Sequence, residues 1–112
     1  AVMVSNHGGR QMDGCPAPIE VIGDIVDAVG DKLEVILDGG VRRGTHILKA
    51  LAMGAKACMG GRAYLYGLAA SGEEGAYYSL KLLKDEVQNN MILLGCTDIS
   101  QISSDYLRKT ES

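Results

Sequence analysis

The chain between Ile36 and Tyr64 contains two glycine-rich turns, each placed directly after a short apolar run. Residues 36–46 read Ile-Leu-Asp-Gly-Gly-Val-Arg-Arg-Gly-Thr-His, and residues 57–64 read Ala-Cys-Met-Gly-Gly-Arg-Ala-Tyr. Every charged residue from position 41 to position 62 is cationic, namely Arg42, Arg43, Lys49, Lys56 and Arg62. Glycines let a backbone approach a ligand closely, helix N-termini present N–H groups to anions, and arginine binds phosphate through paired hydrogen bonds. The stretch therefore predicts a phosphate-binding site built from two consecutive strand-to-helix turns.

Working outward, the whole chain alternates between short apolar runs and amphipathic segments. We expect strands at residues 1–4, 33–37 and 57–59, because these are brief apolar runs that end at polar or glycine-rich loops. Helices are expected after each loop, and the last of them divides into a piece that ends near residue 70 and a longer piece at 73–94. This alternation is typical of an α/β fold, with parallel strands and covering helices.

Each polar cluster follows a strand, which is the end of a parallel sheet where α/β barrels and open α/β sheets place their active sites. A TIM (β/α)8 barrel needs eight strands, and three parallel strands alone would leave two open edges. We therefore expect residues 1–112 to be a single fragment, the C-terminal βα units of a TIM (β/α)8 barrel, cut from a longer protein.

Two details of the helices can be predicted from local sequence. Thr45 is expected to cap the helix that follows the first glycine-rich turn, and Gly30 to end the preceding helix as a C′ glycine. The segment 73–94 has one apolar face, formed by Tyr77, Leu80, Leu83, Val87, Met91 and Leu94. Its charged residues, Glu86 among them, are interpreted as an ordinary solvated helix face.

Composition argues against several classes of function. The chain has 112 residues and a net charge of −3, so it lacks the broad basic face that nucleic-acid binding requires. We expect no membrane-spanning segment, since no apolar run approaches the length of a bilayer crossing. The three cysteines (Cys15, Cys58 and Cys96) have no metal-ligand spacing, so we expect no metal site, reduced thiols and a cytoplasmic location.

The loop after the first strand carries a second kind of chemistry. It reads Ser5-Asn6-His7-Gly8-Gly9-Arg10-Gln11 and places an imidazole three residues from a guanidinium. A histidine can take a proton from a hydroxyl group or a carbon acid, and an arginine can hold a carboxylate in a fixed orientation. The pair suits a substrate that has both an acid group and a nearby proton to lose. The plainer interpretation is that His7 forms loop hydrogen bonds and Arg10 is a solvated charge.

Taken in order, three motifs resemble the FMN-dependent α-hydroxy-acid dehydrogenase/oxidase family, which includes glycolate oxidase, L-lactate dehydrogenase and mandelate dehydrogenase. They are the 5–11 loop, Asp38-Gly39-Gly40-Val41-Arg42-Arg43-Gly44, and Gly61-Arg62. The similarity extends through residues 49–55 and the Gly95-Cys96-Thr97-Asp98-Ile99 segment. Within the family, residues 61–70 and 104–107 look most like the mandelate-dehydrogenase branch.

The resemblance implies a role for each motif residue. His7 would be the catalytic base and a substrate contact, and Arg10 would bind the substrate carboxylate. Ser5 would lie near the flavin ring and Asp38 would hold the ribityl chain of FMN. The phosphate of FMN would be bound by Gly40, Arg42, Gly61 and Arg62. Gly39 and Val41 are the remaining cofactor-binding positions.

The implied reaction oxidises an L-2-hydroxy acid to a 2-keto acid with FMN as cofactor. His7 would remove either the hydroxyl proton, as hydride leaves the carbon, or the α-proton in a carbanion mechanism. The family also implies a homo-oligomeric complete protein, and in some relatives membrane attachment through an upstream segment. The catalytic tyrosines and several other active-site residues of the family belong to earlier strands that this sequence does not include.

Two alternatives remain open at this point. One is a non-catalytic partial barrel that binds FMN or another phosphate ligand. The other is a different phosphate-binding barrel, such as an isomerase of phosphorylated sugars, which would explain residues 38–62 but not the pairing of His7 with Arg10.

Overall fold

The computed structural model describes residues 1–108, and over this range a parallel sheet is covered by helices. The strands, in sheet order, are β1 (Val2–Ser5), β2 (Val35–Asp38) and β3 (Ala57–Met59). The α-helices are α1 (Pro18–Val29), α2 (Gly44–Ala52) and α3 (Arg62–Leu94). Short 3-10 turns lie at His7–Gly9, Ile99–Gln101 and Ser104–Tyr106.

All strands of the described sheet run in the same direction and end at the same edge. Ser5 lies opposite Asp38, and Asp38 lies opposite Met59. The loops that leave β1, β2 and β3 therefore start side by side. The predicted strand at 57–59 matches β3, whereas β1 and β2 each extend one residue further towards the site than expected.

The core has its centre between α1 and the sheet. Ile22 of α1 and Val35 and Leu37 of β2 are the largest fully buried side chains within residues 1–108. A second cluster joins α2 to the C-terminal tail through Leu48, Ala52, Cys96 and Ile102. The apolar face of α1 thus packs on β2, the central strand, whose end at Asp38 leads into the candidate site.

The predicted end of α1 at Gly30 is confirmed, but the details of both predicted caps are wrong. Gly30 has φ −65°, a right-handed conformation, and its N–H continues the helical pattern by donating to the Val26 carbonyl at 2.7 Å. α2 begins at Gly44, so Thr45 lies inside the first turn instead of capping it. The reason is that Arg43 keeps an extended backbone (φ −138°, ψ 153°) up to the helix start and offers no capping side chain.

The long third helix is interrupted, as the sequence predicted. Ser71 and Gly72 leave the helical conformation, and the two segments fold back so closely that a Cβ on Gly67 would collide with the Gly75 carbonyl oxygen. Only part of the predicted apolar face is covered: Leu83, Val87 and Met91 are half-buried, whereas Tyr77, Leu80 and Leu94 are exposed. Within residues 1–108, α3 included, no helix is both long and apolar enough to cross a membrane.

Candidate active site

The three loops at the carboxyl ends of the strands enclose a volume of about 690 Å³, which we call the cleft. Its wall contains the residues that the sequence singled out, with the exception of Ser5: His7, Arg10, Asp38, Gly39, Gly40, Val41, Arg42, Gly61 and Arg62. Residues from positions 7 to 62 meet there because the parallel register aligns the ends of all three strands. The structure therefore brings the histidine loop and both glycine-arginine turns together.

The β1 loop (residues 5–11) is held by its own polar side chains. The Asn6 side chain accepts a hydrogen bond from the Gly8 N–H at 3.0 Å and begins the short turn. Ser5 Oγ accepts from the His7 N–H at 3.0 Å and donates to Asp38 Oδ2 at 2.7 Å. Ser5 thus does not line the cleft but ties the β1 loop to the end of β2.

These bonds hold His7 in an unusual backbone conformation. His7 has φ 55°, the only positive φ among the non-glycine residues of the described chain. Its side chain is exposed, and Nδ1 lies 2.9 Å from Nε2 of Gln11. A left-handed conformation costs a non-glycine residue about 1–2 kcal/mol. The strain is tolerated where surrounding contacts fix the loop, which is common at functional sites.

The β2 loop (residues 38–43) has a backbone that only glycine adopts readily. Gly39 has φ 114° and Gly40 has φ 76°. A Cβ on Gly40 would meet nothing within 4 Å, so no side chain covers the main chain of Gly40 on that side. The half-buried His46 supports this loop, with Nδ1 3.2 Å from the Gly40 carbonyl oxygen and 3.3 Å from the Arg42 backbone nitrogen. His46 therefore contacts the backbone of the β2 loop at Gly40 and Arg42.

The β3 loop leads directly into the N-terminus of α3. Gly61 is the N-cap and offers no side chain to the first turn, and Gly61, Arg62 and Ala63 of this helix end line the cleft. A Cβ on Gly61 would also meet nothing within 4 Å. Arg62 Nη2 donates to the Gly8 carbonyl at 2.8 Å, which links the β3 loop to the β1 loop.

These features fit an anionic group of the size of a phosphate. Arg42 and Arg62 are exposed, Gly40 and Gly61 leave room for close approach, and the first turn of α3 has no side-chain cap. Asp38 lies at the inner end of the same wall, where its Oδ2 already accepts from Ser5. The residues present therefore fit the phosphate end of FMN, with Asp38 placed to accept from a hydroxyl group.

Glu86 was not predicted as a site residue, and its interpretation as a solvated helix residue is wrong. Its Oε2 accepts from the Gly44 N–H at 2.7 Å, and its Oε1 lies 2.9 Å from Nε of Arg43. These bonds, the one from Gly44 first, lower the pKa of the Glu86 carboxyl below its usual value. No signal in the sequence indicated this contact, because Thr45 was expected to cap α2 and the uncapped start at Gly44 is known only from the structure.

Sequence reasoning also missed the apolar side of the cleft. That side is formed by Met59 and by residues from both segments of α3, namely Leu65, Tyr66, Leu82 and Leu83, with Ser79 among them as a polar lining residue. Nothing in the local sequence separates these side chains from ordinary packing residues, because the fold-back of α3 at Ser71 and Gly72 is what brings them together.

The cysteines lie outside the site. Within the described chain all three are unpaired thiols, and burial raises the pKa of Cys58 to about 11. A thiol with such a pKa is protonated at neutral pH and is a poor nucleophile. Among residues 1–108, no group of three or more His, Cys, Asp or Glu side chains is arranged to hold a metal ion.

Curated proteins of known activity are similar to this chain in sequence along almost its whole length. The human 2-hydroxyacid oxidase 1 (Homo sapiens) is 52% identical over 108 residues, which are 96% of this chain and 29% of the oxidase. An L-lactate oxidase from Nostoc sp. is 49% identical over 107 residues, again 96% of this chain and 29% of the relative. The chain thus spans somewhat less than a third of the length of the curated relatives it matches.

Solved structures agree with the fold. A soluble mutant of the membrane-associated (S)-mandelate dehydrogenase from Pseudomonas putida superposes with a TM-score of 0.91 at 47% identity, covering 96% of this chain and 30% of that one. The predicted fold class is confirmed, since the structural neighbours are TIM-barrel flavoenzymes and this chain has the matching parallel strands and helices. The placement nearest the mandelate-dehydrogenase branch stays a prediction, because the human oxidase has the higher identity.

The predicted family is confirmed as well. The family model described as FMN-dependent dehydrogenase matches residues 1–109, nearly the whole chain. The prediction that the cofactor is FMN is confirmed with it, because members of this family bind FMN. With relatives about half identical along the same residues, the chain belongs to the FMN-dependent dehydrogenase family.

Proposed function

We propose that this chain supplies the FMN phosphate site and the substrate loop of an enzyme that oxidises an L-2-hydroxy acid to the 2-keto acid. The observation that carries the proposal is that His7 and Arg10 line the same cleft as Arg42 and Arg62. A site for an anionic cofactor tail and a site for a carboxylate substrate are thus adjacent. Relatives named as 2-hydroxyacid oxidase, L-lactate oxidase and mandelate dehydrogenase support this substrate class.

For the cofactor, we assign the phosphate to Gly40, Arg42, Gly61 and Arg62, with Gly39 and Val41 completing the loop. Asp38 accepts from the ribityl hydroxyls, and Ser5, hydrogen-bonded to Asp38 at 2.7 Å, orients that carboxylate. The support is the bare backbone at Gly40 and Gly61 and the exposed guanidinium groups on both sides of the loop. FMN, when bound, supplies the acceptor for the two electrons that leave the alcohol carbon.

For the substrate, Arg10 binds the carboxylate through its planar fork and His7 accepts the proton that the oxidation releases. A guanidinium matches two carboxylate oxygens at once and so fixes the orientation of the hydroxyl-bearing carbon. The His7 ring is held from one side by Gln11 at Nδ1, and the backbone is held by Ser5. A base must stand within hydrogen-bond reach of the proton it removes, and these contacts restrict where the ring can lie.

The test is a His7→Gln variant of the complete protein. Turnover is expected to fall by roughly 10²–10⁴-fold, the usual contribution of a general base, while the bound FMN is kept. Steady-state kinetics and the flavin absorbance of the purified protein are the two measurements. Full activity in this variant would refute the assignment of His7 as the base.

A second candidate function is a non-catalytic partial barrel that binds FMN or another phosphate ligand. It is favoured by the large apolar side chains left exposed on the second segment of α3, such as Leu93. Titration of the 112-residue chain with FMN and then with a 2-hydroxy acid separates the two. FMN binding without substrate-dependent bleaching supports the module, whereas bleaching supports the enzyme.

Three broader assignments accompany the proposal. We assign residues 1–112 to the C-terminal βα units of the barrel; the chain covers 30% of a mandelate dehydrogenase chain, which is the share expected of a part and not of a whole barrel. The complete protein is proposed to be a homo-oligomer, with Ile92 and Leu93 (73% and 84% exposed) as apolar surface available for association, and sedimentation velocity measures this. A cytoplasmic location fits the three unpaired thiols, and cell fractionation checks it.

A further inference from the structure

The first turn of α2 depends on a side chain from another helix. Gly44, the first residue of α2, donates its N–H to Oε2 of Glu86 at 2.7 Å. Arg43, immediately before it, reaches both oxygens of the same carboxylate from Nε, at 2.9 Å to Oε1 and 3.1 Å to Oε2. Glu86 therefore serves as the cap that the local sequence of α2 lacks.

This contact is held by packing as well as by charge. A Cβ on Gly44 would lie 2.6 Å from the Glu86 Cβ and 2.6 Å from the Val87 nitrogen, so only glycine allows the two helices to come so close. The neighbouring Val87 and Met91 pack against the cluster that joins α2 to the C-terminal tail. The carboxylate of Glu86 is thus carried on a rigid helix face at a fixed distance from the β2 loop.

Glu86 also lines the cleft, together with Arg42. A carboxylate beside a phosphate site would ordinarily repel the ligand. Here its charge is matched by Arg43 and by the N-terminal end of the α2 dipole. The two adjacent arginines of the β2 loop therefore have different partners: Arg43 pairs within the protein, while Arg42 stays exposed at the cleft.

We infer that Glu86 is a positioning residue for the phosphate end of the cleft. By holding Arg43 and the start of α2, it orients the β2 loop so that Arg42 and the Gly40 backbone face the ligand. This inference rests on the proposed FMN site. It assigns to α3 two contributions: its N-terminus at Gly61 and Arg62 binds the anion, and its second segment holds the opposite loop through Glu86.

The test compares FMN with riboflavin, which lacks the phosphate, in a Glu86→Gln variant of the complete protein. Simple electrostatics predicts tighter FMN binding, because a negative charge has left the neighbourhood of an anion. Positioning predicts the opposite sign: FMN binding weakens by on the order of tenfold, because a charge-assisted contact that holds the loop is lost. Riboflavin affinity is expected to stay unchanged, and fluorescence titration of each flavin measures both.

Two further variants control the experiment. Glu74→Gln makes the same change in charge on the same helix but outside the cleft, and is expected to bind both flavins like the wild type. Glu86→Asp keeps the charge but shortens the side chain. A positioning role predicts weaker FMN binding in this variant, whereas electrostatics alone predicts unchanged FMN binding. This variant also carries the test if Glu86→Gln does not fold.

The outcomes are separable. Unchanged or tighter FMN binding in both Glu86 variants would overturn the inference, while leaving the proposed function intact. An equal loss of FMN and riboflavin affinity would also overturn it, since the effect would then be general damage to the cleft. If the wild-type protein itself binds no FMN, the proposed function fails and this inference fails with it.

Discussion

His7 combines an exposed imidazole with a backbone conformation that its side chain disfavours. The left-handed φ of 55° is maintained by the Ser5 hydroxyl, which accepts from the His7 N–H, and by the Asn6 side chain, which accepts from Gly8. Ser5 in turn donates to Asp38 on the neighbouring strand. The position of the imidazole is therefore linked to the end of β2, and through it to the loop that we assign to FMN.

Arg10 and Arg42 provide a matched pair for separating substrate binding from cofactor binding. Arg10→Lys keeps the charge but removes the planar fork, so KM for the 2-hydroxy acid is expected to rise by on the order of tenfold with FMN affinity unchanged. Arg42→Lys is the control and is expected to weaken FMN binding. Steady-state kinetics and flavin titration measure both effects. If Arg10→Lys weakened FMN binding and left KM alone, the division of roles would be wrong.

α2 and the second segment of α3 lie in close contact at Gly44. Gly44 is buried there, and its amide hydrogen bond to Glu86 requires the two backbones to stay close. Because the nearest atoms to an added Cβ include the backbone nitrogen of Val87, relief would require the helices to move apart. The start of α2 and the second segment of α3 therefore behave as one unit.

Gly44→Ala is expected to lower the free energy of unfolding by about 1–3 kcal/mol, the usual cost of overpacking. It should also weaken FMN binding, since the separation of the helices disturbs Glu86. Gly23→Ala in α1 is the matched control, because its Cβ would meet only the end of Met53 at 3.5 Å. That change is expected to be neutral or to stabilise by up to about 1 kcal/mol, as alanine favours helices. Urea denaturation distinguishes the two, and equal effects would contradict the packing argument.

The molecule as a whole is organised around one buried face between α1 and the central strand. Ile22 is fully buried there, next to Val35 and Leu37, whose strand ends at Asp38 in the cleft. By contrast, many large apolar side chains are exposed, among them Met3 on β1 and Met59 on β3. The packing within this chain is therefore strongest behind the β2 loop and weaker at both edges of the sheet.

Ile22→Ala is expected to lower the free energy of unfolding by about 2–5 kcal/mol, because it removes buried methyl groups and leaves a cavity. Met12→Ala serves as the control, since Met12 is 66% exposed in a loop and surface changes usually stay within about 0.5 kcal/mol. Chemical denaturation followed by circular dichroism measures both variants. A small effect at Ile22 would mean that the core lies elsewhere.

Local chemistry was enough to predict the strands, the break in α3 and the three loops that line the cleft, while the family was predicted from the resemblance of the motifs in those loops. Short apolar runs that end in glycine-rich turns carry that information, and parallel strands must place such turns at one edge. For the same reason the meeting of His7 and Arg10 with the two glycine-arginine turns could be predicted without coordinates.

Tertiary structure alone decided which side chains complete the cleft. Glu86 and Gly44 are 42 residues apart, and Arg62 and Gly8 are 54 apart, so neither contact leaves a local pattern. The apolar side with Leu65 and Leu82 arises only when α3 folds back on itself. Periodicity in a sequence reports which face of a helix is apolar, but the partner of each polar group on that helix depends on how the elements pack.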